Sequence, residues 1–261
     1  MVAGDETYLD RIIAEHRRRA AADRRETIDL YNLAEGCPPV NEFRDALMQP
    51  GLSVIAEIKR RSPSKGDLFP DLEPAVLAKQ YLLGGAACIS VLTDTPNFGG
   101  SPQDLQEARS AVDLPVLRKD FTVHEHDVLD ARLMGADAVL LIAAALSARE
   151  LKSFFSVARD VGLDVLIEVH DEAELEMALE VGADLVGVNQ RDLFTFEVDH
   201  ERAERLASLI PNDVVGVAES GIRNSEEAGT LRDVGYSAIL VGETLVTSGD
   251  PAATVSVLRG A

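Results

Sequence analysis

Apolar residues along this chain gather in short, β-branched runs, separated by longer stretches in which apolar positions recur every three or four residues. The runs "VIAEIK", "CISVLT", "VLRKDF", "AVLLIA", "DVLIEV", "LVGVNQ", "VVGVAES" and "AILVGE" begin near Val54, Cys88, Val116, Ala138, Asp164, Leu185, Val214 and Ala238. A continuous apolar run reads as a strand buried on both faces. The stretches between, such as "SARELKSFFSVARDVG" and "DEAELEMALEVGA", have the helical period and read as the covering layer. Four joints, "LGGAACI", "LMGADAVL", "EVGADLVG" and "DVGYSAIL", set a glycine between helix and strand, where a left-handed residue ends a helix. Strand and helix alternate eight times, and eight parallel strands are what close a (β/α)8 TIM barrel of the α/β class. An open doubly wound sheet is the lesser alternative, because it normally has fewer strands and the dinucleotide fingerprint GxGxxG is absent.

Residues 1 to 50 precede the first strand. "TYLDRIIAEHRRRAAADRRETIDLYNLA" reads as helical, "EGCPPV" as a break and "NEFRDALMQP" as a short helix. They are expected to form a helical extension packed on a barrel of residues 51 to 261. The arginines Arg17 to Arg19 read as a solvated helix face.

Composition narrows the class. The 261 residues carry a net charge of −20, which repels nucleic-acid backbones and anionic membranes. No apolar stretch reaches the ~20 residues of a membrane span. Cys37 and Cys88 alone make no disulfide framework, and the expected compartment is the cytoplasm. Of the 25 basic residues only Lys59, Lys65, Lys79, Lys119 and Lys152 are lysines, against 45 acidic ones, a balance that suits a salt-rich, halophilic cytoplasm. A monomer suffices for this reading, and the sequence leaves the oligomeric state open.

Barrel enzymes work at the C-terminal ends of their strands, so polar residues late in each run are the candidates. Side chains alternate along a strand, which places Ile55, Glu57 and Lys59 on one face and Val54, Ala56 and Ile58 on the other. The same step singles out Lys119, Glu168, Asn189 and Arg191. Lysines, glutamates and an amide at one mouth supply acids, bases and an anion clamp. The last two units, "VAESGI" and "ILVGETLV", put glycine at the turn after the strand, where such barrels cradle phosphate on backbone N–H groups; Ser220, Gly221, Gly242 and the adjoining Glu243 are placed for that. Arg60 and Ser62 in "KRRSPSKG" are candidates for further anion contacts.

In "IAEIKRRSPSKG", "SVLTDTPNFGGS", "LRKDF", "IEVH", "GVNQRDL", "AESGI" and "LVGETL", in this order and spacing, the chain resembles the indole-3-glycerol phosphate synthase family over essentially its whole length. The resemblance implies a barrel with an N-terminal helical extension and conversion of 1-(2-carboxyphenylamino)-1-deoxyribulose 5-phosphate to indole-3-glycerol phosphate, carbon dioxide and water without cofactor or metal. It implies Lys119 as general acid at the ribulose carbonyl and Lys59 as partner of the substrate carboxylate. Glu168 would serve as acid or base beside Lys59 in the final dehydration, and Glu57 and Asn189 would orient hydroxyls and tune the lysines. Phe98 and Phe121 would flank the aromatic ring, with core packing an even alternative. Two rival readings are a Schiff-base aldolase using Lys119 as nucleophile and a phosphosugar-binding barrel without turnover.

Overall fold

A computed structural model of the protein describes residues 7–192 and 196–261; residues 1 to 6 of the expected extension lie outside it. Eight strands form a closed parallel barrel. They are β1 (Ser53–Ile58), β2 (Cys88–Leu92), β3 (Val116–Lys119), β4 (Ala138–Ile142), β5 (Asp164–Val169), β6 (Leu185–Asn189), β7 (Val215–Glu219) and β8 (Ala238–Val241). Each strand pairs with its neighbours in chain order, and β1 closes the ring against β8 with Ser53 opposite Ala238. The open sheet is thereby excluded. Between β1 and the next helix a small hairpin pairs Arg61 with Asp67 and Ser62 with Gly66.

Two apolar layers follow from the alternation. Val54, Ala56, Ile58, Val139, Leu141, Val165 and Ile167 face outward into the helices. Ile55, Leu117, Leu140, Leu166, Val215, Val217 and Leu240 fill the interior. Gly85 and Gly135, with φ of 86° and 89°, end their helices in the left-handed region that a Cβ disfavours.

Helices Tyr8–Ala22, Thr27–Glu35 and Phe43–Ala46 precede β1. The third plugs the floor of the barrel: Phe43 and Leu47 are fully buried among the interior residues. There the backbone N–H of Asn41 donates to Asp137 at 2.7 Å and that of Arg44 to Asp164 at 2.9 Å. The first helix lies at the opposite end, where the Tyr8 hydroxyl donates to Asn97 at 2.9 Å and His16 Nε2 is 3.0 Å from Asp94 Oδ1. Of the arginine run, Arg18 and Arg19 are exposed to solvent as the sequence suggested, and Arg17 is the exception. Arg17 donates to Glu150 at 2.7 Å and to the Ala145 carbonyl at 3.2 Å, pinning the helix to the loop after β4.

Candidate active site

The interior alternation ends in charge on four strands. After Ile55, β1 delivers Glu57 and then Lys59; after Leu117, β3 delivers Lys119; after Leu166, β5 delivers Glu168; after Val215 and Val217, β7 delivers Glu219. With Asn189 at the end of β6, all of them line one cavity of about 480 Å³ at the C-terminal ends of the strands.

Lys119 Nζ donates to Glu168 Oε2 at 2.7 Å and to Glu219 Oε2 at 3.1 Å. Burial works against an ammonium here, but the charges of Glu168, Glu219 and Glu57 outweigh it and hold Lys119 protonated well above the usual lysine range. The two carboxylates are driven apart. Burial would raise Glu168, but Lys119 and His170 beside it hold it well below the ordinary glutamate range. Burial raises Glu219 as well; Lys119 only partly offsets this, the negative charge of Glu168 adds to it, and Glu219 is pushed up to about 7. Glu219 Oε1 is buried with no hydrogen-bond partner among the described atoms, and it occupies the space where a side chain on Gly187 would be: a Cβ there would lie 2.0 Å away. Asn189 Nδ2 donates to Glu168 Oε1 at 2.9 Å. On the other side of the mouth Lys59 Nζ lies 2.7 Å from Glu57 Oε1.

The expected residues are therefore brought together, with changes in partnership. Glu168 sits beside Lys119, and it is Glu57 that accompanies Lys59. Arg60 does not face the cavity as an anion contact; its guanidinium is held by Asp104 at 3.1 Å and by the Pro70 carbonyl at 2.9 Å. Gly242 borders the Glu57–Lys59 pair: a Cβ on it would lie 2.3 Å from Glu57 Oε1 and 3.0 Å from Lys59 Nζ. Ser220 and Gly221 follow β7 in consecutive left-handed conformations, φ 70° and 77°, the serine being one of two non-glycine residues with positive φ among those described. Ser62, Arg191 and Glu243 line the cavity; Arg191 donates to the Phe196 carbonyl at 3.0 Å, and Glu243 is 3.6 Å from Lys65 of the hairpin. Phe98 and Phe121 also line it, their ring centroids 6.2 Å apart and tilted by 38°.

Residues at the site beyond those expected from the sequence include Glu219 and Leu9, with His16 behind Phe121. Glu219 lies in "VAESGI", where counting by twos from Val215 reaches it, but the same motif also carries the Ser220–Gly221 turn suited to an anion. Leu9 lines the cavity from the first helix, and His16 stands with its ring 5.3 Å from that of Phe121. No periodicity relates them to the strands.

The family model of indole-3-glycerol phosphate synthase matches residues 9–258. The chain is 49% identical to indole-3-glycerol phosphate synthase 2 of Streptomyces coelicolor, over 94% of this chain and 93% of that one. It is 48% identical to the indole-3-glycerol phosphate synthase of a Nocardioides species, over 97% and 98%. Among solved structures, thiamine phosphate pyrophosphorylase from Pyrococcus furiosus superposes with a TM-score of 0.62 at 19% identity, covering 83% of this chain and 96% of that one, a likeness of fold alone. With relatives this similar along nearly its full length, the chain belongs to the indole-3-glycerol phosphate synthase family.

Proposed function

We propose that the site closes, decarboxylates and dehydrates 1-(2-carboxyphenylamino)-1-deoxyribulose 5-phosphate to indole-3-glycerol phosphate, with Lys119 and its two carboxylates at the centre. The carrying observation is that one ammonium bridges two glutamates whose proton affinities are pushed in opposite directions. Divergent carboxylates of this kind assign acid and base.

In the first step the ring carbon bearing the carboxylate attacks the ribulose carbonyl, and Lys119 gives its proton to the developing alkoxide. Lys59 pairs with the substrate carboxylate and fixes the attacking geometry, and Glu57 positions Lys59. Loss of carbon dioxide restores the aromatic ring. Dehydration then needs an acid at the departing hydroxyl and a base for the remaining proton. Glu219, whose burial and neighbouring Glu168 make it hold its proton to higher pH than an ordinary glutamate, suits the acid; Glu168, held as an anion and oriented by Asn189, suits the base. Phe98, Phe121 and Leu9 supply apolar walls for the aromatic ring, and Ser220, Gly221 and Gly242 with Ser62 and Arg191 bound the end suited to the phosphate. In this reading Glu243 takes Lys65 rather than phosphate.

A Schiff-base aldolase needs Lys119 as a neutral amine, and two flanking carboxylates oppose that form. The charge of −20 argues against a nucleic-acid partner, the family membership supports a small phosphorylated substrate, and the two free cysteines, Cys37 and Cys88, suit the cytoplasm as the place of action. Among the described residues no helix is long and apolar enough to cross a membrane.

The test is indole fluorescence appearing when the purified chain meets the carboxyphenylamino substrate. Lys119→Met should lower kcat by at least ~10²-fold while product still binds, since its ammonium acts on an alkoxide absent from the ground state. Near wild-type turnover by Lys119→Met, or borohydride trapping of a substrate imine on the unaltered chain, would overturn the assignment.

A further inference from the structure

His170 follows β5 and does not line the cavity, yet it is built into the catalytic cluster from behind. Its Nδ1 is 3.0 Å from Glu174 Oε2, and the same oxygen accepts the backbone N–H of His170 at 2.8 Å. One carboxylate oxygen on the helix Glu172–Glu180 thus holds both the backbone and the near ring nitrogen of His170. Its far nitrogen, Nε2, points at Glu168 Oε1 from 3.5 Å, buried and with no hydrogen-bond partner among the described atoms. A buried donor left unpaired is expensive, so its position needs a reason.

Charge supplies one. The groups facing His170 are Glu168 from β5 and Glu174 from the helix; beyond Glu168 stand Lys119 from β3, Glu219 from β7 and Glu57 from β1. Glu174, His170, Glu168 and Lys119 form a row of alternating sign running inward from the rim. Burial opposes protonation of the imidazole, but Glu168 and Glu174 outweigh it and raise His170 to about 9, so both ring nitrogens carry protons at neutral pH.

We propose that His170, held by Glu174, is a positioning residue that keeps Glu168 ionised and aligned through the steps in which Lys119 has given up its proton. This rests on the role given above to Lys119. While Lys119 is an ammonium, Glu168 has a cation on Oε2 and the Asn189 amide on Oε1. Once the proton passes to the alkoxide, a buried carboxylate facing a neutral amine would recapture a proton and cease to be a base. The imidazolium is the second cation in contact with it. The gap of 3.5 Å closes to a hydrogen bond with a shift of a few tenths of an ångström, so Glu168 exchanges one charged donor for another without leaving its place.

The experiment measures kcat and KM against pH for the unaltered chain, His170→Gln and Glu174→Gln on the carboxyphenylamino substrate. Removing an opposite charge a few ångströms away raises a carboxylate by roughly 1–3 pH units. In His170→Gln the acid limb of the kcat profile should therefore move up by about one unit or more, with KM nearly unchanged and activity partly regained at higher pH. In Glu174→Gln the imidazole loses one of its two anions, so kcat should match the wild type below the lowered histidine value and, above it, drop only to the level that His170→Gln shows at the same pH. That variant also decides the matter if His170→Gln does not fold. Wild-type turnover with an unmoved acid limb in His170→Gln, or an unmoved profile in Glu174→Gln, overturns this proposal alone. No turnover by the unaltered chain overturns the activity reading and this proposal together.

Discussion

Glu219 shows what a single residue contributes when its environment is unfavourable by construction. Its folded-state value near 7 lies above that of an exposed glutamate, so the folded chain binds this proton more tightly than the unfolded chain. Between about 4.5 and about 7, raising the pH therefore withdraws stability. Glu219→Gln keeps the shape without the charge, while Glu168 still pairs with Lys119. The variant should melt higher than the wild type at pH 8 with a smaller difference at pH 5, and its kcat should fall by ~10²–10⁴-fold, the usual worth of a placed acid. Calorimetry at the two pH values and steady-state kinetics check both halves; equal melting shifts at both pH values would refute the first. At this scale the two-residue period made Glu57, Lys119 and Glu168 legible in the sequence, since an apolar inward residue precedes each, and Lys59 followed as the next step after Glu57. Pairing was not legible. Which lysine meets which glutamate depends on strands far apart in the chain, and only closure of the ring sets Lys119 between β5 and β7.

The element that precedes the barrel acts at both of its ends. The helix Phe43–Ala46 has too few residues to be stable alone, and tertiary packing must hold it. Phe43 supplies that packing with its ring wholly buried beneath the strands, far from the mouth. Phe43→Ala should lower unfolding free energy by about 3–5 kcal/mol, the range for emptying an aromatic from a core, while kcat and KM of the remaining folded protein stay unchanged. Urea unfolding and assays at low temperature test this, and a large KM change would show that the floor communicates with the mouth. Strands and their order were readable because each is a continuous apolar run bounded by glycine or a polar turn. The wrap of the extension from mouth to floor was not, because Leu9, His16 and Phe43 reach their places through contacts with residues 50 to 100 positions or more away in some cases, as with His16 and Asp94.

For the whole molecule the dominant quantities are charge and closure. A chain carrying 45 acidic and 25 basic groups repels itself most at low ionic strength, and screening shortens the reach of that repulsion to roughly 3 Å at 1 M salt. The melting temperature should rise between about 0.1 M and about 2 M KCl; a flat or falling trend would dissociate the acidic composition from salt tolerance. Closure bears on time as well. β1 carries Glu57 and is followed by Lys59, and its second neighbour is β8, whose following residue Gly242 leaves the space that both side chains occupy. Ser53 and Ala238 stand near opposite ends of the barrel sequence, and such distant pairings form late because a long loop must be ordered first. Enzymatic activity is therefore a clock for the final stitch of refolding: on dilution from denaturant, helical circular dichroism should return before turnover does, and activity should follow the slowest phase. Simultaneous recovery of both signals would mean that the ring closes in one concerted event.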